Sequence, residues 1–416
     1  MKPGVDMKRI LSIVLTLIIL LSGCSLTPHV DTSSIPSLDE TPQKTIQNKS
    51  VMNAVWFSYI ELNFVNTTQD EFKNTISTMF TKVKNAGLNA VICQVRANCD
   101  AIYPSDYFPF SAAFTGQIGV APEFDPLEIM VNSAHSLGLE FHAWINPYRV
   151  SAKSKDYESL PQNSPVYKYL TDDDGSNDKN VLFTEEGTYL NPASEEVRKL
   201  ISDGIDEILA NYEVDGIQFD DYFYPTTEKD FDKESYTKYV QSVTTPLCLD
   251  DWRRTNVNLL LGEVYKTVHS YENVVFGVSP AADISNDKTD KNYLELYADI
   301  PYWCSTSGYI DYIAPQLYFG YEYPQENFKF STLLDKWCGL SRKKDIKLYI
   351  GLAAYKVGEL DATSNEWVEN KNILSRQVKD AQSKNTDGVF LYSYSYVFSN
   401  KEHNEAEFNA LIKELK

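Results

Sequence analysis

The stretch VDGIQFDDYFYP (residues 214–225) sets two adjacent carboxylates, Asp220 and Asp221, at the end of a β-prone apolar run. A carboxylate is costly to bury unless a partner or a reaction requires it there. HAWINPYR (142–149) supplies a second polar set: His142, Trp144, Asn146, Tyr148 and Arg149. QVR (94–96) adds Gln94 and Arg96, and Gln218 and Tyr222 flank the aspartate pair. Ser279 closes VVFGVS, Asp283 follows it, Gln316 and Tyr318 lie in YIAPQLY, and Glu61 follows the first β-prone run past Ser58.

These types together suit cleavage of a glycosidic bond. That reaction usually takes two carboxyl groups, one protonating the leaving oxygen and one acting as nucleophile or base. Tryptophan and tyrosine faces stack on the apolar faces of sugar rings, and Asn, Gln and Arg bind hydroxyls. Asp220 is the expected catalytic carboxylate. Asp221, Asp283 and Glu61 are the candidates for its partner. Arg96, Asn146 and Arg149 would hold substrate or tune Asp220. A nearby arginine would lower the aspartate pKa and favour a nucleophile or base over an acid. His135, His142 and His269 are scattered, without metal-ligand spacing, and no strand–turn–helix serine elbow occurs. No metal and no cofactor is expected.

Eight β-rich runs can position this set: residues 53–57, 90–95, 140–145, 216–220, 274–279, 312–318, 348–353 and 388–393. Helical segments lie between them, such as TQDEFKNTISTMFTKVKNAG with its threonine cap and DPLEIMVNSAHSLG with Asp125 as cap and Pro126 at the first helical position. Eight strand–helix units predict a single-domain α/β fold, a closed parallel (β/α)8 TIM barrel. An open doubly wound sheet is the rival, but no glycine-rich phosphate loop follows the first run. The connections leaving strands are long, roughly 146–190, 221–250, 280–308 and 319–332, which is where a barrel builds its site.

Strand side chains alternate faces, so polar residues late in each run should point into the barrel and its mouth. In run four Ile217 and Phe219 face outward, leaving Gln218 and Asp220 inward. Run three sends His142, Trp144 and Asn146 inward, and run two sends Ile92, Gln94 and Arg96. The glutamines could equally satisfy one another inside the barrel.

QVRANCDAIYPSDYFPFS, FDPLEIMVNSAHSLGLEFHAWINPYRV, YLNPASEEVRKLISDGIDEILANYEVDGIQFDDYFYP and VFGVSP resemble the glycosyl hydrolase-like 10 family from about residue 52 to about 398. The resemblance implies a bacterial, often lipid-anchored barrel that hydrolyses glycans, with peptidoglycan strands as a substrate class. NAVWFSYIELNF departs from the commoner family form, in which an Asn and an Asp-Trp follow this strand. DGIQFDD also resembles the fourth-strand DGIDIDWE pattern of chitinases. Tyr222 stands in place of that pattern's catalytic glutamate, so its substrate-assisted role does not transfer.

The net charge limits the partners, and the N-terminal segment points to the cell envelope. The chain has 416 residues and a formal net charge of −20, which repels phosphate backbones and argues against nucleic-acid binding. Lys8 and Arg9 precede the apolar run ILSIVLTLIILLSGC, which is too short to span a bilayer and has the layout of an export signal. LSGC resembles a lipobox, making Cys24 the expected lipidated residue. The expected organisation is a signal peptide over 1–23, a lipidated tether over 24–51 and the barrel over 52–416. The expected location is the outer side of the cell membrane, through that anchor. The other five cysteines are widely spaced and form no C-x-x-C pair.

Overall fold

A computed structural model of the chain describes residues 51–416 apart from 153–154, 186, 362–363 and 399–403. The signal segment, Cys24 and nearly all of the tether lie outside the described residues.

Eleven strands follow one another: β1 (Ala54–Phe57), β2 (Ala90–Arg96), β3 (Glu140–Ile145), β4 (Arg149–Ala152), β5 (Val181–Phe183), β6 (Gly187–Leu190), β7 (Gly216–Phe219), β8 (Val275–Val278), β9 (Tyr312–Ile313), β10 (Lys347–Ala353) and β11 (Gly388–Tyr392). All but β4, β5 and β6 form a closed parallel barrel in the order β1-β2-β3-β7-β8-β9-β10-β11, with β11 pairing back to β1. The expected eight-stranded ring is therefore present. β9 is far shorter than its run of 312–318. Pro315 has no N–H to give, and beyond Ile313 the pairing continues only as isolated bridges from Gln316 to Ala281 and Gly351.

Alternation sorts the strand residues into two shells. Val55, Phe57, Val91, Cys93, Phe141, Ala143, Ile217 and Phe219 face outward against helical residues such as Phe72, Phe80, Met130 and Ile205. Ala54, Trp56, Ile92, Trp144, Tyr312, Tyr349 and Phe390 fill the barrel interior. Each buried large apolar side chain contributes about 1.5–3 kcal/mol. The helices start where expected. Thr68 and Glu71 form a reciprocal capping box for Gln69–Asn85, and Asp125 caps Pro126–Ser136 through the Leu127 and Glu128 amides.

Aspartates that precede strands pin the register at the end away from the mouth. Asp215 accepts from the Phe141 amide at 2.8 Å, Asp311 from Phe276 at 2.7 Å and Asp387 from Leu348 at 2.9 Å. His135 and His269 join Asp215 and Asp311 as partners. At the other end, the 146–190 connection folds into a small antiparallel sheet, β4-β6-β5, and the 221–248 connection carries the helix Lys233–Ser242. Arg253 ties that second connection down. Its guanidinium grips Asp232, with contacts of 2.6–3.2 Å, and both side chains are fully buried.

Candidate active site

β7 ends at Phe219, so Asp220 is the first residue past the ladder and keeps the inward parity of Gln218. It is 3% exposed. Trp144 Nε1 donates to its Oδ2 at 3.0 Å, Asn146 Nδ2 lies 3.3 Å from Oδ2 and 3.4 Å from Oδ1, and the Tyr222 amide donates to Oδ1 at 3.2 Å. Asn146 does double work: its Oδ1 accepts from the Tyr148 and Arg149 amides at 3.3 and 2.9 Å. One side chain thus orients the carboxylate and starts the turn into β4.

Burial pushes the Asp220 carboxyl up from 3.8 to about 7, and the charge of Asp221 adds to this. Arg149, Trp144 and the Tyr222 amide oppose the rise without cancelling it. The expected depression by arginine is therefore overturned. An aspartic acid that holds its proton near neutrality suits proton donation.

Asp221 is also brought in. Because the strand has ended, alternation no longer turns it away, and Gln316 Nε2 reaches its Oδ1 at 3.2 Å. Burial raises its pKa as well, opposed by Gln316 and by the charges of Lys291 and Arg149. Gln316 holds its own place through the Ser279 carbonyl at 3.0 Å.

The other two carboxylates are engaged. Glu61 Oε2 accepts from the Ser58 amide and hydroxyl at 2.7 and 3.0 Å, and Oε1 from the Ser393 hydroxyl and Ser395 amide at 2.7 and 2.6 Å. It joins the exits of the first and last barrel strands. Asp283 caps the Lys291 amide at 3.1 Å.

Aromatic rings surround the aspartate pair. Tyr318 stacks on Tyr392 at 5.8 Å, and Tyr355 meets both edge-on at 5.8 and 6.2 Å. Trp144 lies 6.4 Å from Tyr392. At the rim, the Arg149 guanidinium sits 5.7 Å from the Tyr59 ring and 5.2 Å from the Tyr222 ring, and these tyrosines are 47% and 53% exposed. Half-open rings beside a cation and amide groups form a surface suited to a sugar.

Several expected residues lie elsewhere. Arg96 does not reach the mouth. The β2–β3 register slips between Gln94 and Arg96, so Val95 is an extra residue and Arg96 pairs with outward-facing Ile145. A one-residue bulge reverses parity. The guanidinium instead lies 4.2 Å over Phe108 and against Gly204, where any side chain would collide with it. Tyr148 packs in the outer shell, 1% exposed. His142 and Gln218 stay inside the barrel, both bonded to the Tyr312 hydroxyl at 3.1 and 3.3 Å. Ser279 is buried, its hydroxyl on the Ala314 carbonyl at 2.8 Å. Gln94 props the first rim loop through the Tyr59 amide at 3.1 Å.

Sequence reasoning missed Tyr59, Tyr355, Tyr392, Tyr396 and Lys291. Alternation in GVFLYS would have found Tyr392, which shares the inward parity of Phe390. Tyr59 lies in a turn after β1, and Tyr355, Tyr396 and Lys291 lie in the short helical segments Ala354–Lys356, Tyr394–Val397 and Lys291–Leu294, too brief to carry a periodic signal. A cleft of about 990 Å3 on the outer face, between helices Glu195–Asn211 and Leu249–Val268, shares none of the mouth residues.

The model of the family described as glycosyl hydrolase-like 10 matches residues 51–369. The chain belongs to the glycosyl hydrolase-like 10 family. Among its relatives, the glycosyl hydrolase DigH of Escherichia coli K12 is 31% identical over 418 residues, covering 93% of this chain and 92% of DigH. The glycosyl hydrolase YngK of Bacillus subtilis is 36% identical over 322 residues, 74% of this chain; the match spans 60% of YngK's length. Among solved structures, the PgaB (BpsB) glycoside hydrolase domain from Bordetella bronchiseptica aligns with a TM-score of 0.56 at 14% identity, over 87% of this chain and 99% of that one. The catalytic domain of β-amylase from Paenibacillus polymyxa aligns with the same score at 11% identity, over 88% of this chain and 98% of that one. At such identities the likeness is one of fold, and that fold is the TIM-like barrel described above.

Proposed function

We propose that the chain is a glycoside hydrolase acting on a bacterial envelope glycan, with peptidoglycan strands as the substrate class and Asp220 as proton donor. The observation that carries this reading is the state of Asp220: buried in the barrel mouth, aimed by Trp144 and Asn146, and carrying a pKa of about 7. The names of the relatives support the reaction class. The expected export signal and Cys24 anchor support the envelope substrate.

The sugar would lie across the mouth with Tyr222 and Tyr59 against its faces. Arg149, Gln316 and Lys291 would meet its polar groups. Asp220 would protonate the oxygen of the leaving sugar. Incubating the full chain, purified in detergent, with peptidoglycan strands either intact or freed of stem peptides tests this by product mass. New saccharides from the native chain and none from Asp220→Asn are expected. No product from either strand would remove the reading.

A second reading, a glycan-binding barrel without catalysis, draws on the engagement of Glu61 and Asp283, which leaves no free carboxylate opposed to Asp220 among those two. Strand binding without any new saccharide would favour it.

A further inference from the structure

The two acids gathered in the mouth stand on one wall. Asp220 and Asp221 both leave the end of β7, and β11 is the strand diametrically across the ring. A protein nucleophile or a protein base for water must approach the sugar from the face opposite the proton donor. The far wall offers Tyr392 from β11, Tyr355 from the exit of β10 and Tyr59 from the exit of β1. Burial holds the hydroxyls of Tyr355 and Tyr392 up at about 12, so neither supplies a phenolate near neutrality. The rim carboxylates beyond the pair have other partners. Glu61 receives four hydrogen bonds, Asp283 caps Lys291, and Asp361 pairs with Lys356 at 2.8 Å.

We propose that the nucleophile comes from the substrate: the carbonyl oxygen of a 2-acetamido group, with Asp220 and Asp221 as the two protein groups that move protons. This rests on the hydrolase reading and adds the requirement for a 2-acetamido-2-deoxy sugar on the cleaved side of the bond. Adjacent carboxylates on one wall suit this division of labour, because the leaving oxygen and the acetamido nitrogen are neighbours on the same ring. Gln316 is the one side chain among the described residues that donates to Asp221, at Oδ1, and the residue's own amide is the other donor, which leaves the carboxylate acceptor capacity for an N–H.

In the first step Asp220 gives its proton to the leaving oxygen as the bond from that oxygen to C1 breaks. The acetamido carbonyl oxygen forms the new bond to C1 and closes an oxazoline. The amide N–H proton passes to Asp221. In the second step water attacks C1 and gives a proton to Asp220. The oxazoline C1–O bond opens, and the nitrogen recovers its proton from Asp221. One water is consumed, both aspartates return to their starting states, and two displacements retain the configuration at C1.

The test compares peptide-free peptidoglycan strands in three forms: native, chemically de-N-acetylated, and re-N-acetylated with acetic anhydride. The full chain is expected to cleave the first and third at similar rates and the second at least about 100-fold more slowly, in line with losing a group that acts in the transition state. The first-formed sugar end should keep its anomeric configuration by NMR. A 2-acetamido sugar thiazoline, which mimics the oxazoline, should inhibit competitively. Asp221→Asn, checked for a wild-type melting temperature, should lose about 100-fold or more in kcat with little change in KM. Cleavage of the de-N-acetylated strand within tenfold of native, an inverted anomer, a covalent sugar adduct on either aspartate, or a fully active Asp221→Asn would each overturn the proposal while leaving a hydrolase. Failure to cleave any of the three strands would instead reject the hydrolase reading, and the proposal with it.

Discussion

Asp220→Asn is expected to change the sign of its effect on stability with pH. In the folded protein this carboxyl holds its proton up to about pH 7, against 3.8 for an ordinary aspartate. Between those values the native state binds more protons than the unfolded chain, so stability falls as pH rises through this window and levels off above about 7. A shift of about 3 units at about 1.36 kcal/mol each gives about 4 kcal/mol, the cost of the ionised, buried carboxylate at pH 8. Asparagine removes that cost. It also leaves one acceptor oxygen for three donors, Trp144 Nε1, Asn146 Nδ2 and the Tyr222 amide, a loss of about 1–2 kcal/mol. The variant should therefore be more stable than the native chain by about 2 kcal/mol at pH 8 and less stable by about 1 kcal/mol near pH 4. Urea denaturation followed by tryptophan fluorescence at the two pH values measures both differences. A variant destabilised by the same margin at both would refute the claim that burial burdens this carboxylate, and the proton-donor assignment would go with it.

Arg149→Met removes the cation that opposes the upward shift at Asp220, so the alkaline limb of the kcat/KM profile should move to higher pH; an unmoved limb would contradict the coupling. Glu61→Gln should cost about 1–3 kcal/mol of stability yet lower kcat less than Asp220→Asn does, since Glu61 fastens two loops; abolished cleavage in a folded variant would return Glu61 to the reaction. Arg253→Met strands the buried Asp232 charge and should lower stability by about 3–5 kcal/mol in thermal or urea melts, whereas a loss below about 1 kcal/mol would mean that water reaches the pair. Tyr222→Ala should raise KM for strands severalfold with kcat little changed, because the half-exposed ring touches sugar and not the breaking bond; an unchanged KM would remove it from the binding surface.

The ring was readable because its signal is periodic: apolar residues at every second position mark the outward face, and helix caps such as Thr68 and Asp125 punctuate the units between. Asp220 was readable for the same reason, sitting in step with Gln218 at the end of β7. Arg96 was not, because the extra residue at Val95 leaves no mark in composition yet inverts everything after it. The direction of the Asp220 pKa was also out of reach. A nearby arginine was foreseeable, but its contest with burial and with Asp221 depends on how deeply the mouth is packed. Asp221 was left open because its direction depends on where the ladder stops. Tyr59, Tyr355 and Lys291 come from a turn and two short helical segments far apart in the chain, which the ring alone brings to one mouth.

The seam between β11 and β1 joins the two ends of the described barrel by backbone pairing, Ala54 with Phe390 and Val55 with Leu391, and by the Glu61 bridge to Ser393 and Ser395. A chain made from its amino end therefore holds Asp220 well before it has the strand that closes the ring. Trp144 and Asn146, the side chains that bond the carboxylate, precede it in sequence, so its partners are made first and the closing strand last. Ring closure arrives with the last segment, and a chain cut before β11 lacks the strand that pairs with both β10 and β1.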